Sequence, residues 1–188
     1  MSLFGRKIET RHIGRQDSTE KRVKKEKYWV KAEKAIKMKD WDSAIEPLRQ
    51  ILEIDAKDHR ALIKLGEIFV RKGHKENAVH YLIRAAEEYA KDGFYPKAVA
   101  VYKQVLELDD SLMDVREKMA ALYDKLNLSE DANKLRKIIS SASVAKEEEV
   151  LNFIEGKRQA AGNGDESARK FLKGIFNQTG RFLKTQKV

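Results

Sequence analysis

The sequence has no cysteine, only two prolines in 188 residues and no long uncharged run, and each shortage removes a class of answer. Without cysteine there is no disulfide framework, no thiolate metal site and no thiol nucleophile or redox couple. With two prolines and ten glycines little punctuates the chain, and abundant Ala, Leu, Lys and Glu favour helix over strand. No alternating Val, Ile and Thr run bounded by turn residues occurs, so no sheet is expected. The opening MSLFGRKIETRHIG is charged within a few residues and has no apolar stretch, and no segment of about 18 uncharged apolar residues follows. Neither an N-terminal glycine acceptor nor a C-terminal prenylation cysteine is present. These features predict a cytoplasmic protein, with attachment to the inner face of the membrane as a peripheral variant.

Hydrophobic residues make up 41% and charged residues 37%, a balance that suits a soluble chain with a sizeable core. The net charge of +9 sits at the two ends. Residues 1–27 hold nine Lys/Arg and four Asp/Glu, residues 28–155 hold 22 and 24, and residues 156–188 hold eight and two. A nearly neutral body with basic ends lacks the basic face of a nucleic-acid-binding domain, and no base-stacking module accompanies the charge. Nucleic acid is therefore the least favoured partner.

Taken in order, residues 1–20 are polar and aperiodic and are predicted to form a flexible basic arm. Apolar residues Tyr28, Ala32, Ala35 and Ile36 then mark one face of a helix. Asp40 suits an N-cap for a second helix from Trp41 to Ile54, with Pro47 inside it. A third helix is expected from Asp58 to Lys72, ended by Gly73, and a fourth over Lys75–Lys91, stopped at Asp92-Gly93. Pro96 falls in the first turn of a fifth, a sixth spans Leu112 to Lys125, and Ser129 is placed to cap a seventh. Short connections predict antiparallel neighbours.

The fourth segment, KENAVHYLIRAAEEYAK, has an apolar arc too wide for one neighbour. Superposing segments explains it: Lys25–Asp58 and His59–Asp92 are consecutive 34-residue units, and a third unit begins at Val79, 20 residues after the second begins. One helix thus closes one hairpin and opens the next. In the second unit Leu62, Leu65, Gly66, Phe69, Ala78, Leu82 and Ala85 stand at the spacings of the tetratricopeptide repeat, and the chain resembles that family, TPR, from Lys25 to Ser140. The first unit departs with Lys31 and Ala35, and a fourth unit from Met113 departs at Arg136. The resemblance implies an all-α fold, a right-handed superhelical solenoid of antiparallel hairpins. It also implies a noncatalytic adaptor or scaffold. The run GFYPKAVAVYKQVLELD is similar to TPR adaptors of gliding and predatory bacteria, implying polarity, motility or signalling assemblies.

Carrying the family's groove over position by position gives Trp29, Glu33, Ile36 and Lys37, then Arg60, Ile63, Glu67, Val70 and Arg71, then His80, Arg84 and Glu87. Their mixed polarity suits a protein partner offering an extended peptide or an amphipathic helix, and self-association falls within the same class. Glu33, Glu67 and Glu87 stand where a chaperone-tail clamp would need asparagine, which disfavours that ligand. Trp29 is equally suited to the groove and to packing.

Beyond the repeats, residues 143–160 are expected to form a separate capping helix, 161–165 a Gly-rich linker and 166–188 a basic amphipathic helix. In the last helix Phe171, Leu172, Ile175, Phe176, Phe182 and Leu183 oppose Arg169, Lys170 and Lys173, an arrangement suited to an anionic membrane surface or a partner helix. Gly174 and Gly180 each cost about 1 kcal/mol relative to Ala, so an external support is expected. No catalytic constellation, metal site or cofactor site is read from the sequence. His12, His59, His74 and His80 lack metal-site spacing, and Gly162-Asn163-Gly164-Asp165 lacks the lysine and strand of a phosphate loop.

Overall fold

The computed structural model describes the backbone of residues 3–185 and the side chains of residues 19–175. Among the described residues every regular element is a helix: α1 Leu3–Lys37, α2 Trp41–Ile54, α3 His59–Arg71, α4 Lys75–Lys91, α5 Tyr95–Leu108, α6 Met113–Lys125, α7 Ser129–Gly162 and α8 Glu166–Thr185. The chain divides into unit 1, Met1–Leu135, and unit 2, Arg136–Val188.

Helix ends in unit 1 follow from local chemistry. The Asp40 carboxylate accepts from Ser43 N at 3.1 Å and Asp58 from Ala61 N at 2.9 Å, satisfying donors that the first turns of α2 and α3 leave free. Gly73 and Gly93 take φ of +73° and +80°, the left-handed conformation that lets the chain leave α3 and α4 within a few residues. Pro47 lies inside α2, while Pro96 lies in the first turn of α5, where a missing N–H removes no helical bond.

Packing follows the predicted offset. The contacts of α1 with α2, of α3 with α4 and of α4 with α5 are extensive, and those of α2 with α3 and of α5 with α6 are slighter. Helix α4 therefore has two full neighbours. Its Leu82, Ala85 and Ala86 are buried in the cluster that also holds Leu62 of α3 and Ala98, Tyr102 and Val105 of α5. Its Ala78 belongs to a second cluster with Trp29, Ala32, Leu48, Ile51, Leu65 and Phe69. Gly66 allows the close approach of α3 to α4, since a Cβ there would lie 2.7 Å from Leu82 Cδ2.

Three expectations need correction. The arm assigned to residues 1–20 belongs to α1 from Leu3 onward, because its Arg, Lys, Glu and Gln residues are good helix formers and no proline interrupts them. The capping helix over 143–160 is not separate: α7 runs unbroken from Ser129 to Gly162, since the Ser-rich stretch before it contains neither Gly nor Pro. There Ser140 and Ser141 turn their hydroxyls to the carbonyls of Lys137 and Ile138 instead of ending the helix. Ser129 is the first residue of α7 and not its cap.

In unit 2, the chain turns at 163–165 with Gly164 at φ +99°. Asp165 then caps α8, accepting from Ser167 N at 2.9 Å and Ala168 N at 3.2 Å. These bonds, the Ser167 hydroxyl first, hold the Asp165 carboxyl below its usual range.

Candidate functional site: a cleft across the shared helix

Two arginines on α3 fix its place over the preceding hairpin. Near its start the Arg60 guanidinium lies 4.1 Å over the Trp29 indole and pairs with Glu33. At its end Arg71 lies 5.1 Å over Trp41. Each tryptophan is thus roofed by an arginine from the next unit, a contact of cation–π type that also covers apolar surface. Trp29 is 5% exposed, so it belongs to the core and offers no groove surface.

The candidate groove residues consequently part into sets. Trp29, Glu33 and Arg60 come together as an internal support; Ile36 and Ile63 are half-buried against the two clusters, and Lys37 is exposed. Glu67, Val70 and Arg71 line an open cleft of about 430 Å³ together with Leu82, Gln104, Glu107 and Leu108. His80 is exposed with its ring against Tyr81, Arg84 Nη2 lies 3.5 Å from the Ala56 carbonyl oxygen, and Glu87 pairs with Lys118 at 2.7 Å. These last three do not line the cleft.

The cleft has α3 and α5 as walls and α4 as floor. Leu82, 2% exposed, and half-buried Leu108 supply an apolar bottom, while Val70, 43% exposed, stands at the edge. Glu67, Gln104, Glu107 and Arg71 make the rim polar. Glu67 accepts from Lys64 Nζ at 2.8 Å, yet both side chains stay well exposed, so the pair can open at little cost. Gln104, Glu107 and Leu108 escaped the sequence reading because it took only the first helix of each unit as groove-lining. The shared helix brings α5 to the opposite wall, a consequence that the 20-residue offset contained but did not spell out.

A second, strongly charged hollow of about 530 Å³ lies near the start of α3 and the end of α4, where Lys25, Asp55, His59, Tyr89 and Asp92 are among its lining. Lys25 Nζ is 2.7 Å from Asp55 and 2.6 Å from Asp58. Burial pulls the lysine pKa down, but the two carboxylates outweigh it and the net shift is upward; the Lys25 hydrogen bond holds Asp55 below its usual range. One unit later, His59 stacks on Tyr89 at 4.2 Å, with Nε2 3.3 Å from Asp92 Oδ2. That approach is not aligned as a hydrogen bond, and Nε2 is buried without one. Lys25 with Asp58 and His59 with Asp92 occupy equivalent ends of consecutive 34-residue units, so both are clasps between a unit's first residue and its last. A further pair, Lys75 with Asp109 at 3.3 Å, ties the start of α4 to the end of α5.

The hairpins, their 34-residue spacing and the close Gly66–Leu82 approach carry the fold. Unit 1 is a TPR-like helical solenoid. No family model matches the sequence, and no curated protein matches it at a significant level. Among solved structures the chain is similar to a crystal structure of MamA, with 17% identity, 88% of this chain and 97% of that chain covered, and a TM-score of 0.34. It is also similar to YrrB, described as a TPR protein with an unusual peptide-binding site, at 17% identity over 60% of this chain and 65% of that one, with a TM-score of 0.31. Likeness at this level transfers no residue roles, and the solenoid assignment rests on the chain's own helices and spacing.

Proposed function

We propose that the protein is a noncatalytic adaptor that holds a segment of a partner protein in the cleft between α3 and α5. The observation that carries this reading is the cleft's construction: an apolar floor of Leu82 and Leu108 beneath a rim of Glu67, Gln104, Glu107 and Arg71. Such a hollow accepts one or two apolar anchors of a peptide or helix, and the rim sets its direction by charge and hydrogen bonding. Two carboxylates against one guanidinium favour a segment with a basic residue beside its anchor. No protein group in the cleft pairs a nucleophile with a base, so binding accounts for the arrangement without chemistry. The assembly served, whether of polarity, motility or signalling, follows from the partner captured.

The test is capture of partners from native lysate by the full chain and by Val70→Asp and Glu67→Lys/Glu107→Lys variants. Arg60 and Arg71 are left intact, because they support the tryptophans. Loss of captured proteins with unchanged helicity supports the cleft; capture of the same set by every variant rejects it.

A further inference from the structure

Unit 2 leaves open an apolar surface of its own. Leu151 is 64% exposed, Phe153 53%, Val150 51% and Phe171 40%. Phe153 of α7 and Phe171 of α8 meet edge to face with ring centres 5.7 Å apart, so the two helices present a joined aromatic pair. Helical spacing puts Lys146, Val150, Phe153 and Lys157 on one face of α7 and Glu148 and Glu155 on the opposite face. Lys157 Nζ lies 5.6 Å over the Phe153 ring. On α8 the exposed Lys170 flanks Phe171, and the exposed Arg169 and Lys173 stand on the opposite, polar face of the helix. A shallow depression of about 490 Å³ next to this face is lined by Ser143, Lys146, Glu147, Val150 and Leu151.

We propose that this face of unit 2 binds the surface of an anionic phospholipid bilayer. Rings and aliphatic groups at this exposure would enter the boundary between headgroups and acyl chains, while the lysine stems reach alongside and keep their ammonium groups with the lipid phosphates. Charge selects the ligand: residues 156–188 carry eight Lys/Arg against two Asp/Glu, and in α7 Glu148 and Glu155 are turned from the contact face while Glu147 and Glu149 stand at its two flanks. Nucleic acid would satisfy the cations but leave Val150 exposed, since an aliphatic side chain provides no stacking platform. No helix among the described residues is long and apolar enough to cross a membrane, which makes the contact an interfacial one.

Flotation of the full chain with vesicles tests the proposal. Vesicles of phosphatidylcholine alone are compared with vesicles containing about a third phosphatidylglycerol, at low and high salt. The expected result is flotation with the anionic vesicles only, reduced by salt. Phe153→Ser/Phe171→Ser should lower the partition by about tenfold, and Lys157→Glu/Lys170→Glu/Lys173→Glu should lower it by at least as much. The lysine variant keeps both aromatic rings, so it decides the matter if circular dichroism shows the aromatic variant unfolded. Absence of flotation, equal flotation on both lipids, indifference to the lysine variant, or tight retention on RNA or DNA in place of vesicles overturns it.

Discussion

In unit 1 Leu48, Ile51, Leu62, Leu65 and Val105 are wholly buried, whereas in unit 2 Val150, Leu151 and Phe153 remain more than half exposed. Both regions consist of helices with comparable side chains, so composition does not explain the difference. Neighbours do. A helix buries an arc as wide as the number of helices that flank it allows, and α4, flanked by α3 and α5, conceals Ala78, Leu82, Ala85 and Ala86. Among the described residues of unit 2 only Ala168 is fully covered, with Leu172 and Ile175 half-buried. Apolar surface is therefore a structural resource in unit 1 and an open surface in unit 2.

The contrast can be broken most severely at Leu82. Leu82→Ala removes a buried side chain shared by two interfaces and should cost about 2–5 kcal/mol in denaturant unfolding. Hydrogen exchange should accelerate in both α3 and α5; acceleration in one alone would show that α4 does not couple them. Gly66→Ala is expected to cost about 1–2 kcal/mol net, because the overpacking against Leu82 exceeds the roughly 1 kcal/mol of helix propensity gained. Unchanged stability there would mean that α3 and α4 can part without loss. Asp58→Ala, which removes the cap on Ala61 N and a partner of Lys25, should cost about 1 kcal/mol.

Acid provides a smaller test. Asp55 has a folded pKa below its unfolded value of about 3.8, so its contribution is present above that pH and lost as pH falls through the lower folded value. Both partners are partly exposed, which limits the effect to within about 1 kcal/mol. Thermal unfolding from pH 5 downward should show this loss, and Lys25→Met should remove part of it. At the bottom of the scale, Phe153→Ser should change stability by no more than about 0.5 kcal/mol, since the ring is largely exposed. A larger loss would make Phe153 a core residue and weaken the comparison between the units.

Much of unit 1 was legible because its signals are local or periodic. Asp40, Asp58, Gly73 and Gly93 announce helix ends through capping and left-handed geometry, and the 20-residue offset announces the double role of α4. The continuity of α7 was not legible, because whether a Ser-rich stretch ends a helix depends on where its hydroxyls bond, and Ser140 and Ser141 bond backward within the helix. Burial of Trp29 depends on Arg60 arriving from 31 residues away, and the far wall of the cleft depends on α5 reaching α3's side of α4. Those are tertiary facts with no repeating spacing to disclose them.

The double engagement of α4 also bears on how such a chain can change over generations. An ordinary repeat array lengthens or shortens by duplicating or excising whole modules, each of which brings its own complete hairpin. Here a cut that removes α3 and α4 as a 34-residue module takes away the first helix of the following hairpin, leaving α5 without its main partner. The array is consequently not interchangeable at that point. Its length is locked there by one helix.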